Sequence, residues 1–189
     1  MKFLTLTAFA LVSMVYQAAA QIPVRPGDVK IDKVIPAVVK TPEYQITGGQ
    51  NKRFKNADWL EVEVEFTTAP ELIDELTFSY KILVNGKLLV GEVTHMSIPK
   101  GKDHYSVAYV SPRSLESILA GKTLTASAIQ GIWVDVSKQG MLLAQNSTVR
   151  GAAVPNVPQV PGMVLNKTQT PFAPLYWDRY EAIKPGSSR

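Results

Sequence analysis

The groups in this chain that could do chemistry are two histidines, a row of glutamates and an aromatic cluster near the C-terminus. His95 and His104 are the only imidazoles among 189 residues, and there is no cysteine. Thiolate zinc sites and cysteine nucleophiles are therefore excluded, and no H-x-H, H-x3-H or His-rich tract suggests a metal. Both histidines read as polar edge residues rather than as a catalytic or metal pair. Glu61, Glu63 and Glu65 alternate with apolar residues, so their carboxylates share one strand face about 7 Å apart. A hard cation could use such a row, but calcium sites are normally loops supplying six or more oxygens. A solvated face paired with lysines of the neighbouring strand is the expectation, and Glu71, Asp74 and Glu75 read as loop charges. No nucleophile elbow, P-loop or dinucleotide fingerprint occurs. Catalytic residues, metal ligands and cofactors are accordingly expected to be none.

The elements that would carry these groups are strands. Leu60, Val62, Val64 and Phe66 alternate strictly with the glutamates from Trp59 to Thr67, which describes a strand with one wet face and implies an antiparallel sheet. Leu76 to Val84 alternates again and ends in Asn85-Gly86, the preferred type I′ pair. A two-residue loop there sets Val84 opposite Lys87, Ile82 opposite Leu89 and Phe78 opposite Val93. His95 then shares a face with Val93 and Leu89, while Leu83, Leu88 and Val90 lie on the other. Tyr105, Val107 and Tyr109 continue the β pattern. Ser111-Pro112 opens a short helix through Leu115, Ile118 and Leu119 that closes at Gly121. A strand over 124–136 with a bulge at Gln130-Gly131, a turn at Gln139-Gly140 and a last strand over 141–149 follow. Before all of these, an extended lead-in to about Pro36 precedes a first strand from Ala37 to Ile46, and 48–58 is a polar loop. About seven strands and one crossover helix predict an all-β, immunoglobulin-like antiparallel sandwich without the disulfide, in which Trp133 could be the buried aromatic.

The C-terminal forty residues differ. Pro155, Pro158 and Pro161 recur every third residue, as in a polyproline II spacer. Phe172, Tyr176, Trp177 and Tyr180 follow, too many aromatics for a disordered tail. They are candidate docking residues, with an apolar face such as that of Leu83, Leu88 and Val90 as the expected seat. Trp59, Trp177 and Tyr180 are the candidates in an alternative where aromatics stack on sugar rings. Asn146 and Asn166 fit the N-glycosylation pattern. The formal net charge is +4, with no basic run longer than two; Lys52-Arg53 near Lys55 reads as a solvated loop, so no nucleic-acid partner is expected.

The first twenty residues read as a signal peptide. Lys2 supplies the n-region, Phe3 to Val15 the apolar core and Ala18-Ala19-Ala20 the cleavage site, and Pro23 and Pro26 prevent a helix from continuing. An uncleaved anchor is the competing reading. The expected organisation is a cleaved segment 1–20, a β-sandwich over 21–150 and a proline-rich, aromatic tail over 151–189. Nothing in the mature chain is long and apolar enough to span a membrane as a helix.

The stretch WLEVEVEFTTAPELIDELTFSYKILVNGKLLVGEVTHM, with the tail motif PFAPLYWDRYEAI, resembles small exported, pilus-associated, immunoglobulin-like proteins of mucin-dwelling Verrucomicrobia. The resemblance spans the mature chain. It implies a sandwich related to archaeal filament subunits and a role at the cell surface. A conventional type IV pilin keeps a long apolar N-terminal helix, whereas this chain would lose its short apolar run at Ala20, so it looks like an accessory or surface component.

The expected function is a non-enzymatic structural or adhesion component of a pilus-type surface assembly. Its partners would be proteins of that assembly or copies of itself. The location would be outside the cytoplasm: cell surface, outer-membrane-associated, periplasmic or extracellular. A carbohydrate-binding module is the alternative and would take glycans as partners; a hydrolase is third. If the signal reading holds, the intact mass of the exported protein corresponds to a chain starting at Gln21. Full-length chain recovered in a membrane fraction would overturn it.

Overall fold

The structure is a computed structural model and describes residues 24–45, 47–48, 55–121 and 123–186. The expected signal peptide, Ile46 and the Lys52-Arg53 patch lie outside these residues. Seven strands and one helix follow in order: β1 Val29–Lys40, β2 Asp58–Val84, β3 Lys87–Val110, α1 Pro112–Leu119, β4 Ile129–Lys138, β5 Met141–Ser147, β6 Gln159–Pro161 and β7 Val164–Asn166.

Two long strands organise everything. β2 and β3 pair antiparallel over nearly their whole length, from Leu60↔Val110 to Val84↔Lys87. Asn85 and Gly86 both have positive φ, 47° and 72°, which fits the backbone of a two-residue hairpin turn to the twist of its strands. The three pairs expected from that turn are all present. The ladder breaks between Phe66 and Leu72, where bulges bend the hairpin and let each strand serve two layers. One layer sets β1 beside the first half of β2, with the second half of β3 and then β7 beyond it. The other runs β5-β4-β2-β3-β6. The result is an antiparallel, open sandwich; the short β6 is its parallel pairing.

Between the layers lies the core. Leu60, Val62, Val64 and Phe66 from one half of β2 meet Leu76, Phe78, Tyr80, Ile82 and Val84 from the other, all fully buried. The Phe66 and Phe78 rings are 4.9 Å apart across the bend. Helix α1 adds Leu115, Ile118 and Leu119. Its N-cap is Ser111, whose hydroxyl accepts from the Ser114 N–H, and Pro112 occupies the first turn. Its end differs slightly from the expectation, since Ala120 already takes the left-handed conformation before Gly121. The Asn85 amide donates to the Ile118 carbonyl and so ties the hairpin turn to one of the helix's orphan acceptors.

Several boundaries depart from the sequence reading. β1 starts at Val29, within the expected lead-in, because Val29 and Ile31 reach the core and the strand pairs with β2 from Thr68 onward. Pro36 is tolerated inside it because β1 bonds only to β2, leaving its other edge without a ladder for the missing N–H. The 124–136 strand begins later, at Ile129, after a 3-10 turn over Ala126–Ala128. Its bulge is at Gln130, skipped between Leu83↔Gly131 and Val84↔Ile129. Gly131 is required by contact: a Cβ there would lie 2.6 Å from the Trp133 ring. That indole is nearly buried and donates to the Ala152 carbonyl at 2.7 Å. Glu71, Asp74 and Glu75 sit on β2 rather than in a loop, and each holds a lysine: Lys100, Lys138 and Lys184.

Phe78→Ala should cost about 3–5 kcal/mol of unfolding free energy in urea denaturation, because the ring fills the centre of the core. Ser79→Ala, which removes only a surface hydrogen bond to Glu92, should cost less than about 0.5 kcal/mol. Similar small losses for both would mean that Phe78 faces outward.

Candidate functional site

The wet face of the first layer is roofed by the C-terminal segment rather than by solvent. Cross-strand register sets Glu61 beside Tyr109 and Glu63 beside Val107, and the Trp59 ring meets Tyr109 edge-on at 6.5 Å. Phe172 descends onto this face and is 5% exposed. Its ring stacks on Tyr109 at 4.6 Å with an interplanar angle of 3°, and Trp59 meets it edge-on at 5.5 Å. Tyr44 donates its hydroxyl to the Pro171 carbonyl, which fastens the start of the turn. The segment continues as a chain of tight turns to Tyr180.

The glutamate row is divided between different partners. Glu65 pairs with Lys33 of the adjacent strand at 2.8 Å, the arrangement expected for the whole row. Glu63 is gripped by the tail instead: Arg179 donates to both carboxylate oxygens, at 3.0 and 2.7 Å, and the Tyr180 hydroxyl donates at 2.8 Å. Burial works to raise the Glu63 pKa, but the guanidinium and the hydroxyl together outweigh it and hold the carboxyl below its ordinary range. Arg179 also lies 3.8 Å above the Tyr105 ring. Glu61 accepts from the Tyr109 hydroxyl. Burial, with the charge of Glu63 adding to it, outweighs that bond and the attraction of nearby Arg179 and pushes its pKa up. A cleft of about 580 Å³ opens here, lined by Val39, Pro42 and Glu61 on the sheet side and Leu175, Tyr176 and Arg179 on the tail side.

The histidines are core groups, which corrects the reading of them as polar edge residues. His95 is 0% exposed and His104 is also buried. Glu181 reaches both. Its carbonyl lies 3.0 Å from His95 Nδ1 and its carboxylate 2.6 Å from His104 Nδ1. A carbonyl only accepts, so His95 Nδ1 carries the proton and Nε2 accepts from Ser106 at 2.6 Å. Ser106 in turn accepts from the Tyr80 hydroxyl at 2.6 Å. This Tyr80–Ser106–His95 relay crosses the core, so its serine is no exposed nucleophile. Burial pushes the His95 pKa down to about 4. Among the described residues, no three or more His, Asp or Glu side chains gather as a metal set.

The aromatic candidates separate into two pairs. Phe172 is buried and Tyr180 half-buried, on the Trp59–Tyr109 face rather than over Leu83, Leu88 and Val90. Leu88–Val90 carries β6 along its edge, so residues expected as a free polyproline spacer end in a strand. Tyr176 and Trp177 point outward, 62% and 81% exposed. Tyr176 has φ of 52°, a left-handed conformation that costs energy for a residue with a side chain. Trp59 is 9% exposed inside the aromatic stack, so of the sugar-stacking candidates only Trp177 has an open face, with Tyr180 already bonded to Glu63. Asn166 is buried with its side-chain oxygen accepting from Thr168. Sequence reasoning did not single out Arg179, Glu181, Ser106, Tyr80 or Tyr109. The alternation of Tyr105, Val107 and Tyr109 was the available signal, since it sets two tyrosines on the glutamate face.

A buried neutral imidazole gives stability a definite pH dependence. The unfolded ring protonates near pH 6.5 and the folded one only near 4, so its contribution is fully present above about 6.5 and is lost as pH falls towards 4. The slope is about 1.4 kcal/mol per pH unit, roughly 3 kcal/mol in all. His95→Gln removes this proton uptake. The stability gap between wild type and variant, from urea denaturation, should therefore shrink by about 3 kcal/mol between pH 7 and pH 4. A constant gap would show that His95 is not buried neutral.

Comparison with known proteins agrees with this architecture. No curated protein matches the chain. A crystal structure of a protein from Akkermansia muciniphila superposes with a TM-score of 0.71 at 25% sequence identity, covering 82% of this chain and 92% of that one. A protein-family model matches residues 20–187, the sandwich and its tail together. The chain belongs to that family.

Proposed function

We propose that the protein is a non-enzymatic, exported structural or adhesion component of a cell-surface assembly of the pilus type, with a sandwich of the immunoglobulin-like kind. Family membership and the fold shared with the Akkermansia muciniphila protein fit a structural surface component. The observation that carries the reading is the exposed Tyr176-Trp177 pair on a turn whose flanks are anchored by Phe172 and by Arg179 and Tyr180. Large aromatics held rigidly in solvent are what interface hot spots are made of. The imidazoles and the core hydroxyls, by contrast, are consumed in holding the fold.

Trp177→Ala should leave stability within about 0.5 kcal/mol of wild type, since the indole touches little of its own domain. The same change should release the protein from the cell surface into the medium. A photo-crosslinking residue at position 177 should form an adduct with a surface-assembly protein or a second copy, and one at exposed Lys102 should not. Surface retention of the alanine variant together with no adduct at 177 would overturn the proposal.

A further inference from the structure

The cleft beside Glu61 has a charge and shape that suit a particular ligand. The cations on its walls are already engaged: Lys40 lies 2.6 Å from Asp58, and Arg179 is bidentate on Glu63. Glu61 has no such partner. It takes a hydrogen bond from Tyr109 and lies within 4 Å of no lysine or arginine among the described residues. With those two cations paired, Glu61 is the carboxylate of the cleft that makes no ion pair among the described residues. Around it, Val39, Pro42, Phe172, Leu175 and the tyrosines form an apolar and aromatic wall. The volume of about 580 Å³ accommodates an extended side chain and part of its backbone.

We propose that this cleft binds an ammonium group carried on an apolar stem, as on a lysine side chain presented by a partner protein. The stem packs on Val39, Pro42 and Leu175 while the ammonium meets Glu61, beneath the exposed Tyr176 ring. The tail already contains this chemistry in miniature: the Lys167 ammonium sits 5.3 Å from the centre of the Tyr180 ring and donates to the Ala173 carbonyl. Half-burial strengthens a charge pair relative to open solvent, and Glu61 forms no ion pair of its own among the described residues, since the nearby Arg179 is bidentate on Glu63. The inference is independent of the surface-assembly reading, since a protein of any role could hold such a receptor.

The test is an NMR titration of the mature protein with three probes: an acetylated, amidated alanine pentapeptide with one central lysine, its norleucine counterpart and n-butylammonium. Binding of the lysine peptide should shift the amides of Tyr176 to Arg179. It should be about tenfold tighter than the norleucine peptide, equivalent to about 1.4 kcal/mol. Glu61→Gln, which keeps an acceptor for Tyr109, should abolish that preference at unchanged melting temperature. A lysine peptide that outcompetes n-butylammonium identifies a protein side chain as the source, whereas equal affinity identifies a free amine. Equal binding of the lysine and norleucine peptides by the wild type would make the cleft an aromatic surface and overturn the proposal. Absence of any shift, or a preference retained in Glu61→Gln, would overturn it as well.

Discussion

The structure depends on how the outer edge of β3 is closed. That strand runs for 24 residues, bonds to β2 on one side and would present a long row of open N–H and C=O groups on the other. The C-terminal region covers it almost end to end. β6 lies along Leu88–Val90, and Met96 and Thr94 exchange backbone hydrogen bonds with Ala182 and Lys184. The Glu181 N–H reaches the Tyr105 carbonyl, and β7 pairs with Ala108–Val110. Because β3 bends between its halves, no single straight strand could follow it. A sequence of short pieces separated by turns can, and this explains why residues 159–184 look irregular yet return repeatedly to β3 by backbone pairing.

Closing the edge also determines what becomes of the chemistry-bearing side chains. Glu181 enters the bend with its backbone bonded to both β3 and His95 and its carboxylate on His104. Glu181 thus partners Nδ1 of both buried imidazoles, while Ser106 meets Nε2 of His95 and Thr68 lies 3.4 Å from Nε2 of His104; a buried ring nitrogen without a partner would cost about 1–3 kcal/mol. On the outer face the same tail exchanges water for Arg179 and Tyr180 over Glu63 and for Phe172 over Tyr109. A face that begins as a row of carboxylates becomes half ion pair and half aromatic stack, and the glutamate between those halves is left in the cleft.

What was legible in the sequence was local. Asn85-Gly86 fixes its own register because turn chemistry and cross-strand apolar matching agree over ten residues, and Ser111-Pro112 marks a helix start by capping alone. The alternation of β2 reads cleanly on both sides of the bend. It is interrupted between Thr68 and Leu76, where the bulges leave only Ile73 buried, out of phase with both halves, and make one strand look like two. Prolines at 26 and 36 suggest a lead-in, and only the pairing of Val29 with Thr68, some forty residues away, shows that β1 already begins there. The burial of His95 could not be read for a similar reason. A polar residue in an apolar alternation is core only if partners arrive, and those are Ser106 and a carbonyl 86 residues away.

The same reasoning explains why Tyr176 and Trp177 stand out in solvent. Four aromatics within nine residues of an edge-closing segment cannot all reach the sheet, because each tight turn directs part of the chain outward. Phe172 and Tyr180 take the inward positions, and the left-handed backbone at Tyr176 is the geometric cost of returning the chain to Glu63 between them. The outward pair is thereby held in place by contacts it does not make. A partner meeting it finds the backbone already ordered, so little conformational entropy is lost on binding. Closure of a sheet edge, a requirement of folding alone, thus leaves a rigid aromatic projection beside a cleft whose Glu61 carboxylate makes no ion pair among the described residues.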